Sequence, residues 1–310
     1  MIDTRLTREL ELAVPILGAP MGGRAGGRLA GEVTRAGGLG LLGAARYATP
    51  DWVAEEAAIA REIGGGPLGV GLMTWALDAD DSLLDAVLAE DPSLVSLSFG
   101  DPAPYVERVH AAGALAISQV NTLDDLRVVE RAGVDFVVAQ GHEAGGHTGR
   151  IGTLPLLQEV LDATSLPVLA AGGIGTGRGL AAVIAAGAEG AMIGTALLAS
   201  PETIGPEYAR GKLIEAGSAD TVYTSIFDRA RDQPWPARWG GRALANEYTT
   251  MWHGQGADNE TLSAAYDPED PDLGVVYAGE VAGLVTSERP ASEVVRVIAT
   301  DAERLLRRPF

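Results

Sequence analysis

The segment Pro167–Gly179, PVLAAGGIGTGRG, decides the fold together with Glu189–Thr195, EGAMIGT. Each segment contains a short run of small or β-branched apolar residues and then glycine. This pattern is typical of a parallel strand that is buried on both faces and opens into a functional loop. The earlier segment Val137–Gly149, VVAQGHEAGGHTG, has the same form and carries two histidines on a glycine-rich loop. The three segments therefore predict parallel strands whose C-terminal ends meet at one functional face.

The same alternation of apolar runs with helical stretches extends over residues 1–200. The eight strand candidates are Pro15–Ala19, Leu39–Gly43, Leu68–Leu72, Leu94–Ser98, Ala114–Ser118, Val134–Ala139, Val168–Ala171 and Ala191–Gly194. The helices between them end on a recurring Ala-Gly pair, such as Ala132-Gly133, because glycine accommodates the left-handed conformation past a helix end. Helix starts are marked by Thr49 before Pro50 and by Thr122. Eight such units predict a closed (β/α)8 barrel, the TIM barrel of the α/β class.

The remaining chain has a different texture. Residues 201–274 are richer in Trp, Tyr, Pro and charged residues, and they show helical but not strand periodicity. We expect a small helical subdomain over the barrel mouth there. Residues 275–310 regain apolar character, so we expect this tail to return to the barrel and end in a helix.

Composition excludes several classes of function. The chain has 23 lysines and arginines against 42 aspartates and glutamates, a net charge of −19, which disfavours nucleic acid and anionic membranes as partners. It has no cysteine, which excludes disulfides, thiolate nucleophiles and iron–sulfur clusters. We find no secretory signal and no unbroken apolar stretch of about 20 residues, so we expect a cytoplasmic protein.

The glycines after the last two strands predict an anion site. Gly172 and Gly173 follow a strand directly, so backbone amides can approach a phosphate while the next helix adds its positive end. Gly194 and Thr195 would supply the other half, although glycines at such places can also serve tight turns only. The run Gly175-x-Gly177-x-Gly179 is not a dinucleotide fingerprint, because its third glycine comes one residue early.

His147 is the candidate catalytic residue. An imidazole titrates near neutral pH and can take a proton from a substrate, although a loop histidine can also merely cap the backbone. A zinc site is excluded, because His142 and His147 do not share a helix face and Gly145-Gly146 would break a helix between them. We therefore predict no metal. We expect His142 to help position the loop, His110 to stabilise the C-terminal end of a helix, and His253 to pack against its local surroundings.

Several of these segments together resemble the nitronate monooxygenase family, formerly called 2-nitropropane dioxygenases. The likeness is carried by Val137–Gly149, Pro167–Thr195, Gly18-Ala19-Pro20-Met21-Gly22, Val95–Gly100, WPARWGGRALANEY from Trp235 and VYAGEVAGLV from Val276. It extends over nearly the whole chain. The resemblance implies an FMN-binding TIM barrel with a small helical domain.

The resemblance also implies roles for single residues. Ala19, Pro20 and Met21 would lie against the flavin ring, and Gln119 and Gln140 would contact its edge or ribityl chain with Gly145 close by. The phosphate would be held by Gly172, Gly173, Gly194 and Thr195, and His147 would take the α-proton of a nitroalkane. The sequence departs from the family at Gly71, where an asparagine is common.

The function that this resemblance implies is FMN-dependent oxidation of alkyl nitronates or nitroalkanes with O2, giving carbonyl compounds and nitrite. One alternative keeps the flavin and makes the chain an NAD(P)H-dependent reductase of quinones or enoyl thioesters, which Gly71 makes a serious rival. Another is a flavin-free barrel lyase or isomerase that binds a phosphorylated substrate. A homodimer is left open.

Overall fold

A closed barrel of eight parallel strands forms the centre of the computed structural model, which describes residues 2–308. The barrel strands are β1 Ile16–Gly18, β2 Leu39–Gly43, β3 Gly69–Met73, β4 Leu94–Ser98, β5 Leu115–Val120, β6 Phe136–Gln140, β8 Val168–Ala171 and β9 Gly190–Ile193. The barrel closes where β1 pairs with β9, Leu17 opposite Met192. The predicted TIM barrel is confirmed, and predicted and observed strand ends differ by at most two residues.

One helix precedes the first barrel strand, and the others connect consecutive barrel strands. They are α1 Arg5–Glu9, α2 Gly27–Arg35, α3 Pro50–Gly64, α4 Thr74–Leu77, α5 Ser82–Leu88, α6 Ala103–Ala111, α7 Leu123–Ala132, α8 Thr153–Ala163 and α9 Gly177–Ala185. The predicted caps are confirmed: the hydroxyls of Thr49 and Thr122 accept bonds from the first turns of α3 and α7. Gly133 ends α7 in the left-handed region, at φ 82°.

Two aliphatic layers make the core. Inside the barrel, Leu17, Leu39, Leu94 and Phe136 are fully buried and belong to one cluster. A larger cluster fills the space between the strands and the surrounding helices. Because both faces of every barrel strand are covered, the strands read as nearly continuous apolar runs in the sequence.

Residues 201–274 contain two strands that the sequence analysis did not predict. Besides helices α10 Tyr208–Glu215, α11 Ile226–Ala230, α12 Glu247–Trp252 and α13 Asn259–Ala265, this part holds β10 Thr221–Thr224 and β11 Gly240–Leu244. Strand β11 pairs antiparallel with β10 and with β7, Gly146–Thr148. We call β7, β10 and β11 the small sheet. The division of the chain into separate domains at 201 and 275 stays a prediction.

The C-terminal part returns to the barrel. Helix α14, Ala291–Leu306, buries Val295, Ile298 and Ala302 and contacts α9 and α2. A Cβ atom added to Gly177 in α9 would lie 2.4 Å from Cβ of Asp301, so this glycine lets the two helices approach closely. Helix α14 thereby fills the gap between α9 and α2 in the ring of helices. Within residues 2–308, no helix is long and apolar enough to cross a membrane.

Candidate active site

The residues expected to bind a cofactor gather at the C-terminal mouth of the barrel. Each lies at the C-terminal end of a barrel strand or in the loop that follows it; they are Ala19, Pro20, Met21, Gln119, Gln140, Gly145, Gly172, Gly173, Gly194 and Thr195. The carboxyl ends of parallel barrel strands open on one face, where barrel enzymes place their chemistry. Contact between the first and last strands is close, because a Cβ on Gly194 would lie 3.2 Å from Sδ of Met21.

The glycines after β8 form a cradle of bare backbone. Gly172 and Gly173 have φ angles of 94° and 72°, which other residues adopt only with strain. A Cβ on Gly172 would lie 2.9 Å from the backbone nitrogen of Ala144 and the carbonyl oxygen of Gly141. Helix α9 starts just beyond, with Thr176 as its N-cap. The exposed amides and the positive helix end suit a phosphate group.

Thr195 and Gly145 connect this cradle with the C-terminal segment. The Thr195 hydroxyl accepts a hydrogen bond of 2.9 Å from the backbone N–H of Gly279, and its own proton stays available for a ligand. A Cβ on Gly145 would lie 2.5 Å from the same nitrogen. Glu143 points to the start of α8, where it accepts bonds from the backbone and hydroxyl of Thr153. The loop before β7 is therefore fixed on both sides.

Two glutamines bring amide groups into the mouth. Gln140 is 6% exposed, and its Oε1 accepts a hydrogen bond of 3.1 Å from Nδ2 of Asn121. The Gln119 amide nitrogen lies 3.6 Å from the Met192 sulfur and makes no other hydrogen bond within residues 2–308. Both side chains therefore keep unused hydrogen-bonding capacity, as groups that contact a polar ligand edge require.

Pro20 explains the departure from the family pattern at Gly71. A Cβ on Gly71 would lie 2.3 Å from Cβ and 2.4 Å from Cγ of Pro20. The pyrrolidine ring thus occupies the space where a side chain at position 71 would stand. An asparagine cannot be placed there unless Pro20 moves.

His147 lies on strand β7 rather than on a free loop, which corrects the sequence-based expectation. It pairs with Gly241 of β11, so the small sheet fixes its backbone. Its Nε2–H donates a hydrogen bond of 2.8 Å to Oδ2 of Asp228, and the two side chains are only 7% and 5% exposed. Asp228 lies on α11, 81 residues further along the chain. Sequence reasoning missed it, because no local pattern marks a partner at that separation.

Asp228 is held in turn by two groups. Its Oδ1 accepts a hydrogen bond of 2.8 Å from the Tyr277 hydroxyl, and Nη2 of Arg231 lies 3.4 Å away. Burial, and then the charge of Asp228, raise the pKa of Tyr277 well above its usual value, so the phenol stays a neutral donor. A carboxylate only accepts hydrogen bonds, which places the imidazole proton on Nε2. Nδ1 of His147 makes no hydrogen bond within residues 2–308, so it is the ring nitrogen whose lone pair is free.

Aromatic side chains cover this histidine. The Trp235 ring stacks on the imidazole with centroids 3.4 Å apart and planes 8° from parallel. Trp75 after β3 and Phe99 after β4 each lie 5.1 Å from Trp235. Trp239 packs against Phe99 and donates from Nε1 to Oδ1 of Asn121 at 2.9 Å. These rings make the surroundings of His147 apolar on the side that faces the barrel.

The other three histidines lie in different surroundings. Nδ1 of His142 lies 2.7 Å from the carbonyl oxygen of Gly149, and Nε of Arg242 donates to the His142 carbonyl. His110 lies in the last turn of α6, as expected, with Nε2 2.8 Å from Oδ2 of Asp135. His253 is exposed, so the expectation that it packs locally is wrong. A cleft of about 200 Å³ between α10 and the start of α12 contains none of the residues expected at the site. The mouth of the barrel is therefore where the candidate residues meet.

Comparison with known proteins agrees with this arrangement. The chain matches the sequence model of the nitronate monooxygenase family over residues 3–86 and 75–301. It belongs to that family. The family and its structural neighbours are flavoenzymes, and the chain is an oxidoreductase that acts on small molecules.

Individual relatives have different printed functions. An indene-carboxyl-CoA dehydrogenase from Mycobacterium tuberculosis is 30% identical over 97% of this chain and 96% of its own length. A probable nitronate monooxygenase from Staphylococcus aureus is 31% identical over 72% of this chain and 75% of its own.

Solved structures also resemble this chain over nearly its whole length. FabK from Thermotoga maritima superposes with a TM-score of 0.85 at 30% identity, over 99% of this chain and 98% of that protein. A nitroalkane oxidase from Streptomyces ansochromogenes gives 0.80 at 32%, over 96% and 98%. These relatives establish the family and the fold, whereas the substrate stays a prediction and the question of a homodimer stays open.

Proposed function

We propose that this chain is an FMN-dependent nitronate monooxygenase, which oxidises alkyl nitronates and nitroalkanes with O2 to carbonyl compounds and nitrite. The observation that carries the proposal is the buried pair of His147 and Asp228 at the barrel mouth. Asp228 holds Nε2 at 2.8 Å and leaves Nδ1 to accept the proton from the carbon beside the nitro group.

The mouth fits FMN in its chemistry. The amides of Gly172, Gly173 and Gly194 and the hydroxyl of Thr195 would hold the phosphate, since the cradle has no room for a Cβ at Gly172. Residues Ala19–Met21 would lie against the ring, and Gln119, Gln140 and Gly145 would stand near its polar groups. When bound, FMN supplies the redox chemistry, including the reaction with O2.

The protein's own residues manage the proton. After His147 takes the α-proton, the imidazolium is stabilised by the Asp228 carboxylate, which Tyr277 and Arg231 keep in place. The His147 and Asp228 side chains are nearly buried, which strengthens the charge interaction between them. General bases contribute about 100-fold to 10,000-fold to a reaction rate.

One alternative shares the same site. A reductase that uses NAD(P)H is favoured by Gly71, where the asparagine common in the family is missing and Pro20 leaves no room for one. It is also favoured by the M. tuberculosis dehydrogenase that matches almost the whole chain. In that reaction His147 would deliver a proton instead of accepting one. His147 and Asp228 can serve in either reaction, so the substrates that the enzyme accepts distinguish the two functions.

Three measurements separate these functions. The purified protein should be yellow or become yellow with FMN, and it should release nitrite from nitroethane and from its anion in air. Rapid bleaching of the flavin by NADH or NADPH without oxygen, with no nitrite formed, would favour the reductase. A protein that never takes up FMN would favour the flavin-free lyase or isomerase.

A further inference from the structure

Trp235 reaches across the mouth of the barrel. It lies between Pro234 and Pro236 in the connection from α11 to β11. Its ring contacts Trp75 and Phe99, which follow β3 and β4, and on its other side it stacks on His147, which follows β6. The indole therefore fills space between the exits of different strands, directly in front of the candidate base.

Hydrogen bonds fix the backbone around Trp235, whereas its indole ring is held by contacts with other aromatic rings. The Trp235 amide donates to the carbonyl of Gln233 at 2.8 Å, and Gly240 at the start of β11 donates to the Tyr223 hydroxyl at 2.7 Å. Its indole nitrogen makes no hydrogen bond to any part of the chain that the structure describes. Shortening this side chain therefore leaves no buried hydrogen-bonding group without a partner.

The stack also limits how a substrate can reach His147. Asp228 occupies Nε2 and Trp235 covers one face of the ring, while Tyr277 lies 5.5 Å from the imidazole centre. A carbon that delivers its proton to Nδ1 must approach beside the indole. Any chain or branch attached to that carbon then meets Trp235 and, behind it, Trp75 and Phe99.

We propose that Trp235 determines substrate size and restricts the enzyme to short, unbranched alkyl nitronates and nitroalkanes. The substrate class in this inference rests on the proposed function. The limit on size rests on the position of the ring alone. In an apolar pocket, one methylene group changes kcat/KM by about 10-fold to 200-fold. Removing one large side chain from the wall of such a pocket should therefore change the selectivity measurably.

The test compares Trp235→Ala and Trp235→Phe in the FMN-loaded enzyme, with kcat/KM for nitrite release from the anions of nitroethane and 1-nitrohexane. We expect the ratio of long to short substrate to rise about tenfold or more in Trp235→Ala and to change little in Trp235→Phe. Trp235→Leu keeps apolar packing and should give an intermediate ratio. Trp252→Ala, a tryptophan at the end of α12 away from the mouth, is the matched control and should leave the ratio unchanged.

A second readout separates this inference from the proposed function. Propionate and octanoate carry a charge like that of nitronates but cannot release nitrite, and their dissociation constants are measured by calorimetry. If no substrate yields nitrite but Trp235→Ala binds octanoate more tightly relative to propionate than wild type does, the proposed function fails and the size limit stands. If the ratio of dissociation constants is the same in wild type, Trp235→Leu and Trp235→Ala, the inference is overturned.

Discussion

The barrel and the small sheet are built on different principles. The barrel packs Leu17, Leu94 and other aliphatic side chains in closed layers, whereas the small sheet and its helices bury Tyr248, Phe227 and charged Asp228. The barrel provides a backbone cradle, and the small sheet places His147 over its mouth. Under the proposed function, the barrel would hold the cofactor and His147 and Asp228 would handle the proton, so substitutions can test the two parts separately.

Among substitutions around His147, a large effect should come from its partner Asp228 on α11. Replacing Asp228 by Asn keeps the shape but removes the negative charge that stabilises the imidazolium, so kcat/KM for neutral nitroethane should fall about 100-fold. Loss of FMN is not expected. The control is Asp135→Asn, which alters the exposed pair with His110 outside the mouth. A comparable loss in the control would show that the Asp228 effect is not specific to the site.

On the barrel side, Gly172→Ala should weaken FMN binding while sparing the histidine. The added Cβ meets backbone atoms at 2.9 Å in a left-handed conformation, a strain of about 1–3 kcal/mol, or about tenfold to a hundredfold in Kd. Gly113→Ala shares the left-handed φ but meets nothing within 4 Å. Thermal unfolding and fluorimetric FMN titration compare the two. Equal loss of FMN from both variants would contradict a role for the cradle.

A smaller effect is expected at Tyr277. Phe removes one hydrogen bond to Oδ1 of Asp228, which is worth about 1.5–3 kcal/mol when intact, while Arg231 still contacts the same oxygen and His147 still contacts Oδ2. We expect kcat/KM for nitroethane to fall about tenfold. Tyr248→Phe, which loses a bond to the Leu262 carbonyl instead, should lower stability without this loss of turnover.

The smallest effect concerns alkaline pH. Burial, and then Tyr266, raise the pKa of Tyr248 from its usual value near 10 to about 12. The folded state therefore holds this proton more tightly, so the stabilisation is complete below about pH 10 and is lost as the pH rises toward 12. The free energy of unfolding, measured with denaturant, should decrease over that pH range more in wild type than in Tyr248→Phe. Parallel curves would show that Tyr248 does not couple folding to pH.

Sequence reasoning succeeded for the barrel because each unit repeats the same local signals. Thr122 caps a helix, Gly133 ends it, and an apolar run follows, so the strands were predictable without knowledge of their partners. The position of Gly172 was predictable in the same way, because it directly follows a predicted strand. That it binds a phosphate stays a prediction.

The small sheet could not be predicted in this way. Strand β10, TVYT, and strand β11, GGRAL, are short, and each is defined by pairing rather than by its own pattern. The partner of His147 and the ring that covers it come from α11 and the connection after it, far away in the chain. Their roles depend on tertiary contacts, which local periodicity does not encode.

The central claim is that His147 accepts the substrate proton, and one comparison tests it directly. In His147→Ala loaded with FMN, kcat/KM for neutral nitroethane should fall about 100-fold or more, because the imidazole that would take the α-proton is gone. With the preformed nitronate, which has already lost that proton, the loss should be much smaller. Equal losses on the two substrates would contradict the account.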